Sequence, residues 1–230
     1  MMSKAGTYHT ARNMENQDVV RCKTDRRFSV ITLADGVSAC RQARRGAAVA
    51  CKAVTDLLSR KGEYFLSFAQ KDCALFITSH VLRELQEIAA GSHQPTEEYS
   101  STVASVLYDA EHRRMLYWNL GDSLILAMGK KGCRVLSAPA DSRGGCPVTT
   151  TENAQNAVDT GVIDTADVES VMICSDGAWR QMMHGRKLND TVMQLLLRRD
   201  YQGLRSYLEV HSCADDCSFI SMAVTTPKGV

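Results

Sequence analysis

Four short apolar runs follow one another between residues 101 and 138, with only turn residues between them. Their β-branched and aromatic side chains are typical of strands. The runs are STVASVLYDA (101–110), RRMLYWNL (113–120), SLILAMG (123–129) and CRVLSA (133–138). Sequential strands with such short connections predict an antiparallel meander, and this constrains the fold more than any other feature of the chain.

Long helical patterns precede the meander as a pair, and shorter ones follow it. Apolar residues recur at helical spacing over Arg41–Arg60 and Tyr64–Ala90, and Gly91 is expected to end the second helix. The remaining predicted strands are Phe28–Leu33, Val168–Cys174 and Cys217–Val224, and further helical segments lie near Ala178–His184 and Asn189–Leu208. Paired helices and runs of strands favour an antiparallel α+β fold over alternating βαβ units.

The charge balance excludes several classes of partner. A net charge of +1 over 230 residues gives no reason to expect nucleic acid or an anionic membrane. No apolar run approaches the roughly 18 residues of a membrane helix, and the N-terminus lacks the apolar stretch of a signal peptide. We therefore expect a cytoplasmic protein without a membrane anchor.

The nine cysteines never form a CxxC pair and are scattered along the chain. Free thiols in a reducing compartment are the favoured interpretation. The alternative is a zinc site built on His211, Cys213 and Cys217, although no second ligand cluster lies at finger-like spacing.

Four aspartates border apolar strands. Asp35 and Asp176 each end a strand and precede glycine, Asp122 follows YWNLG, and Asp215 precedes the last strand. Each alone is typical of a turn, because Asp and Gly tolerate unusual backbone angles. Four together suggest one site, in which like charges would repel unless a cation relieved them. Oxygen ligands select hard ions such as Mg²⁺ or Mn²⁺.

These motifs resemble the metal-dependent phosphatases of the protein phosphatase 2C type, especially their compact bacterial branch. The matching stretches, in the family's order, are GTYHTARNMENQD, TLADGVSACRQARRGAAVA, STVASVLYDAEHRRMLYWNLGDSLIL, VMICSDGAW and ADDCSFISMAV. The resemblance implies a four-layer α-β-β-α sandwich, with two antiparallel sheets flanked by pairs of helices. It also implies hydrolysis of phosphoserine or phosphothreonine by a metal-bound water at a binuclear Mn²⁺ or Mg²⁺ centre.

The resemblance assigns most of this centre residue by residue. Asp35 is expected to bridge the two ions and Gly36 to offer its carbonyl, while Asp176 and Asp215 complete the shell of the first ion. Asp122 matches a residue that shares a third, weaker ion with Asp176.

Further residues match the family near the N-terminus. Asp18 is expected to orient metal-bound waters, so that it joins Asp35 and Asp176 as a catalytic residue. The phosphate-binding arginine of the family corresponds to Asn13, and Arg12, one position away, is the candidate for that role.

Two other positions depart from the family pattern. Gln17 stands where glutamate is common, and an amide is a weaker ligand than a carboxylate. Val37 replaces a histidine proposed as the acid for the leaving group, so a water would protonate the leaving oxygen. His9 is expected to have a structural role.

The sequence thus predicts a single catalytic domain over residues 1–230, monomeric, that dephosphorylates the protein substrate of a cognate serine/threonine kinase. The flap of the family would fall within residues 138–166 and be short. The alternative is a pseudophosphatase that keeps the fold as a regulatory binding module, which Gln17 favours and the full set of aspartates opposes.

Overall fold

The computed structural model describes residues 1–139, 145–185, 187–211 and 213–225. The strands are β1 (Met2–Lys4), β2 (Asp18–Thr24), β3 (Phe28–Gly36), β4 (Ser101–Asp109), β5 (Arg114–Leu120), β6 (Leu124–Gly129), β7 (Gly132–Ser137), β8 (Asp159–Asp164), β9 (Ser170–Cys174), β10 (Met183–His184), β11 (Lys187–Leu188) and β12 (Cys217–Ala223). The α-helices are α1 (Thr7–Ala11), α2 (Ala43–Ser67), α3 (Gln70–Ser92), α4 (Asp176–Met182), α5 (Asp190–Leu197) and α6 (Tyr201–Val210).

Ten strands form two antiparallel five-stranded sheets. The first has the order β2-β3-β4-β5-β8 and the second β1-β12-β9-β6-β7, while β10 and β11 pair separately. The predicted meander is split between them, because β4 and β5 lie in the first sheet and β6 and β7 in the second. The chain changes sheets at residues 121–123, so this turn lies at the edge where both sheets meet.

Three apolar clusters define four layers. One packs α2 and α3 against the first sheet and includes Leu58, Ile77 and Trp118. A second lies between the two sheets and contains side chains such as Ile31 and Ile173. The third packs α4, α5 and α6 on the second sheet. The predicted α-β-β-α sandwich is therefore confirmed.

The long helices end at other residues than the sequence indicates. The predicted break after Arg60 is only a kink, with Lys61 at φ −128° and ψ 21°. Phe65 beyond it is buried in the helix-sheet core, so α2 continues to Ser67. Gly91 lies inside α3, and His93 provides the left-handed cap with φ 52°.

Two other predicted segments are divided. The helical pattern over Asn189–Leu208 is two helices, because Arg199 adopts φ 55° and the Asp200 carboxylate accepts the Gly203 N–H at the start of α6. The loop segment over 138–166, in which the short flap of the family is expected, contains β8, which pairs with β5. Part of that loop, residues 140–144, lies outside the described residues.

Among the helices of the described residues, none combines the length and the apolar character that crossing a membrane requires.

Candidate metal centre at one edge of the sandwich

Two acidic residues lie side by side at the edge of the first sheet. Asp18 begins β2 and is paired in register with Asp35, near the end of β3. Directly opposed residues of antiparallel strands place their side chains on the same face. The strand pairing therefore holds two carboxylates together in a position where each repels the other.

Three more acidic residues lie where the second sheet meets this edge. Cys174 is paired in register with both Leu124 and Phe219, so the neighbouring ends of three strands are aligned. Asp176 follows β9, which ends at Cys174. Asp122 precedes β6, and Asp215 precedes β12. The fold thus gathers all five aspartates from both sheets.

A surface cavity of about 150 Å³ opens between these strand ends. Asp35, Gly36, Asp122 and Asp215 line it together with Cys146. Four of the five predicted metal-ligating residues therefore face one volume, and the fifth, Asp176, lies next to Asp122 and Asp215 closely enough to feel their charges.

Burial and mutual repulsion disfavour the charged forms of these carboxylates. Dense surroundings raise the pKa of Asp35 well above its usual range, and the charges of Asp18, Asp176, Asp215 and Asp122 raise it further. Burial is also the main reason why the pKa of Asp18 rises to about 7 and that of Asp176 to about 6. A bound cation would reverse both effects.

Several buried oxygens in this cluster have no hydrogen-bond partner. They are Asp18 Oδ1, Asp176 Oδ1 and the amide Oε1 of Gln17. Buried acceptors without partners are rare and point to an absent ligand or water. An all-oxygen donor set suits Mg²⁺ or Mn²⁺, which keep several waters and need few direct protein ligands.

The side chains do not form a closed coordination shell in their present positions. Within the described ranges, no three acidic, histidine or cysteine side chains converge on one point. Asp176 Oδ2 is paired with Arg180, and Asp18 Oδ2 accepts a hydrogen bond from Ser175 Oγ at 2.9 Å. The oxygen donors are suited to hydrated Mg²⁺ or Mn²⁺. The side chains would have to rotate before they could bind such an ion directly.

Two glycines allow the close packing on which the site depends. A Cβ on Gly36 would lie 2.7 Å from the backbone carbonyl of Ala43, and one on Gly177 would lie 2.1 Å from the carbonyl oxygen of Asp216. Glycine after Asp35 and Asp176 is thus required by backbone packing, whatever its carbonyl binds.

The comparisons with known proteins agree with this fold. The family model for protein phosphatase 2C matches residues 5–209. The chain belongs to the protein phosphatase 2C family. The match includes four of the five clustered aspartates and ends before Asp215, and a comparison with curated proteins found no match.

Solved structures of bacterial phosphatases have the same fold. A bacterial serine phosphatase covers 99% of this chain and 98% of its own length, with a TM-score of 0.68 and 12% identity. The serine/threonine phosphatase Stp1 from Staphylococcus aureus covers 96% and 92%, with a TM-score of 0.64 and 15% identity. RsbX, solved in complex with magnesium, covers 97% and 93%, with a TM-score of 0.62 and 14% identity.

In this protein phosphatase 2C chain, a sixth aspartate anchors the site without joining the cluster. Asp216 is 1% exposed, and its Oδ1 accepts the Gly6 N–H at 2.8 Å while its Oδ2 accepts the Gln17 N–H at 2.6 Å. The buried His9 Nδ1 lies 2.8 Å from Oδ1, without the alignment of a hydrogen bond. Asp216 thus ties the N-terminal segment to the loop that carries Asp215.

The contacts of Arg12 in the structure are with Tyr8. Its guanidinium lies 3.7 Å from the centroid of the exposed Tyr8 ring and donates a hydrogen bond to the Tyr8 carbonyl at 3.3 Å. None of its contacts in the described chain is with a clustered aspartate. Its predicted role toward phosphate stays a prediction.

Arg180 does contact the cluster, and the sequence reasoning missed it. Its Nη1 lies 2.9 Å from Asp176 Oδ2, and its guanidinium lies 5.6 Å from the Trp179 ring centroid. Trp179 in turn donates a hydrogen bond from Nε1 to the Asp122 carbonyl at 2.7 Å. The i,i+4 spacing of Asp176 and Arg180 in a helical pattern was the signal available in the sequence.

Cys146 is the other group that was missed. Burial, followed by the charges of Asp122, Asp176 and Asp35, raises the pKa of its thiol to about 12. The thiol is therefore neutral beside the carboxylates. Nothing in the local sequence indicated its position, because the loop that carries it lies far along the chain from the strand ends.

The three residues of the alternative zinc site have separate contacts. The His211 ring stacks on Tyr207, Cys213 donates to the Gly177 carbonyl at 3.2 Å, and the buried Cys217 lies 3.7 Å from the Gln181 amide nitrogen. In the parts of the chain that are described, they do not form a three-ligand group.

Proposed function

We propose that this chain is a metal-dependent protein phosphatase that hydrolyses phosphoserine and phosphothreonine esters. The observation that carries the proposal is the convergence of five aspartates, three of them with raised pKa values, on one edge of a protein phosphatase 2C fold. Such a cluster repels itself without cations and becomes favourable with them.

The proposed ligands are four residues that line the cavity and the neighbouring Asp176. Asp35 and the carbonyl of Gly36 would help to hold two ions, and Asp176 and Asp215 would be further ligands of the first ion. Asp122 would share a third, weaker ion with Asp176. When bound, a pair of divalent ions lowers the pKa of a water to make a nucleophile and neutralises charge on phosphoryl oxygens.

The chain's own groups orient the reactants in this proposal. Ser175 holds Asp18 Oδ2, so the unpartnered Oδ1 is available to accept a proton or a hydrogen bond from the attacking water. Val37 has no proton to donate, so the leaving oxygen takes its proton from water. Asp216 fixes the backbone on both sides of the cluster.

The proposed substrate is a phosphorylated protein that a cognate serine/threonine kinase produces. The proposed active unit is a monomer whose single catalytic domain spans residues 1–230. Mn²⁺ or Mg²⁺ at two sites, with a weaker third, is the proposed cofactor set, in keeping with the metal dependence of the family.

The test is turnover of an aryl phosphate while Mn²⁺ is added to metal-stripped protein. Asp35→Asn and Asp176→Asn are expected to lose at least 100-fold in kcat, because each removes a charged ligand from the group that generates the nucleophile. Asp167→Asn is the matched control, since its exposed carboxylate pairs only with Lys131 among the described residues. Wild-type rates in either site variant would contradict the proposal.

A pseudophosphatase is the second candidate, and two observations favour it. Gln17 provides an amide where a carboxylate would strengthen an ion site, and Arg180 already pairs with Asp176. This candidate predicts a stably folded protein that binds phosphoprotein without turnover at any Mn²⁺ concentration. The same titration distinguishes the two.

A further inference from the structure

The acidic cluster raises a question about how a phosphate ester binds beside it. A phosphomonoester brings two negative charges to a site that already carries up to five carboxylates, and two divalent ions supply four positive charges. A fixed cation at the rim would compensate part of the remaining negative charge. Arginine suits this task, because its planar fork of donors matches phosphoryl oxygens.

Arg180 is the arginine that the fold places at this cluster. Its Nη1 lies 2.9 Å from Asp176 Oδ2, and its side chain is 56% exposed while that of Asp176 is 8% exposed. A guanidinium has five N–H donors. Among the described residues, the remaining donors of Arg180 meet no acceptor, so they are available to a ligand that enters from solvent.

The neighbouring tryptophan positions this guanidinium. Trp179 is held by the hydrogen bond from its Nε1 to the Asp122 carbonyl, and the guanidinium lies 5.6 Å from its ring. Trp179 and Arg180 therefore connect the backbone carbonyl of Asp122 to the carboxylate of Asp176. Arg12, by comparison, is engaged with Tyr8.

We propose that Arg180 binds the substrate phosphate, donating hydrogen bonds to its non-reacting oxygens while the ester lies at the carboxylate cluster. This inference rests on the proposed function. A plain surface ion pair is the competing interpretation, since i,i+4 pairs are common on exposed helices. The two interpretations differ in their consequences for phosphate affinity.

The test compares Arg180→Ala and Arg180→Lys with Arg205→Ala. Arg205 is the matched control, because it is half exposed and makes the same i,i+4 pair with Glu209 on α6. Calorimetry first measures Mn²⁺ binding, and then inorganic phosphate binding to the Mn²⁺-loaded protein. Steady-state kinetics with an aryl phosphate follow on the same samples.

Arg180→Ala is expected to weaken phosphate binding and to raise KM, each by about 10- to 100-fold. This is the effect expected when one charge-assisted hydrogen bond to the phosphate is lost. Mn²⁺ binding stays as tight as in the wild type or becomes tighter, because Asp176 loses a competing cation. Arg180→Lys recovers part of the lost phosphate affinity, because lysine keeps the positive charge without the planar set of donors. Arg205→Ala matches the wild type. Unchanged KM and phosphate affinity in Arg180→Ala would overturn the inference.

The two phosphate measurements separate this inference from the proposed function. If the wild type never turns over but binds phosphate in an Arg180-dependent way, the function fails and the Arg180 site stands. If turnover depends on Mn²⁺ but phosphate affinity ignores Arg180, the Arg180 site alone fails. If neither turnover nor phosphate binding is found, both are contradicted.

Discussion

Replacing Asp216 by alanine tests whether this residue is an anchor distinct from its neighbour Asp215. The Asp216 carboxylate is 1% exposed and accepts the backbone N–H groups of Gly6 at 2.8 Å and Gln17 at 2.6 Å. Alanine at this position leaves both donors buried without a partner and removes the charge 2.8 Å from His9 Nδ1.

The expected loss of stability follows from the two N–H donors that lose their acceptor. Each buried group left without its partner costs about 1–3 kcal/mol, so the free energy of unfolding should fall by about 2–6 kcal/mol. Removing the Asp216 charge also relieves its repulsion with Asp18, which moves the expected loss toward the lower half of that range. A loss of this size is a large fraction of the total stability of a typical domain.

Asp215→Ala is the natural comparison, because Asp215 is adjacent in sequence but partly exposed. Its Oδ1 accepts only the Asp216 N–H, at 2.9 Å, among the described residues. Its removal loses one partly exposed hydrogen bond and reduces the repulsion among the clustered carboxylates. The free energy of unfolding without metal should therefore change by no more than about 1 kcal/mol.

The assay is urea unfolding in the presence of EDTA, followed by far-UV circular dichroism. Asp216→Asn should fall between wild type and alanine, since its amide oxygen can replace only one of the two acceptor atoms. Equal stability of Asp216→Ala and wild type would refute the anchor. So would an equal loss in Asp215→Ala.

Three further predictions concern the acidic cluster. Without metal, the free energy of unfolding should fall as the pH rises from about 4 to about 7. Folding raises the pKa of Asp18 to about 7 and that of Asp176 to about 6 from 3.8, so over this range the folded chain holds protons that the unfolded chain has released. Urea midpoints measured in EDTA at pH 5 and pH 8 check this, and equal midpoints would contradict it. Gln17→Glu should lower the Mn²⁺ concentration for half-maximal activity, since a carboxylate binds divalent ions more tightly than an amide; superimposable titrations would show that Gln17 does not contact the ion. Asp122→Asn should slow turnover while tight Mn²⁺ binding persists in calorimetry; unchanged turnover would mean that Asp122 is only a turn residue.

The sequence was sufficient to predict the strands that end in acidic residues. Apolar β-branched runs that stop at Asp35 and Asp176 have a local signature, and strand ends in a sandwich meet at shared edges. The resemblance to the phosphatase family implies the four layers, and the paired helices and sequential strands predict only an antiparallel α+β fold. These features are local in sequence, so pattern reading finds them.

The remaining features depend on contacts between distant segments. Asp215 and Asp216 are chemically identical neighbours, and only the burial of the latter beneath Gly6 and Gln17 separates their roles. The kink at Lys61 is tolerated because residues beyond it are buried against the first sheet. Strand β8 was missed because it needs its partner β5.

Arg180 illustrates the same limit in the site itself. Its spacing from Asp176 is visible in the sequence, but many helices carry such pairs on exposed faces. Whether the pair belongs to a site depends on Trp179. The Trp179 ring is hydrogen-bonded to the carbonyl of Asp122, which lies in a distant part of the sequence.

The central claim is that ions at the aspartate cluster drive hydrolysis of a phosphoprotein. Its most direct measurement is phosphate release from a phosphothreonine peptide as Mn²⁺ is titrated into metal-stripped protein. We predict no release without metal, a saturable rise with Mn²⁺, reversal by EDTA and at least a 100-fold lower maximal rate for Asp35→Asn. No release at saturating Mn²⁺ from folded wild-type protein, or equal rates in Asp35→Asn, would contradict it.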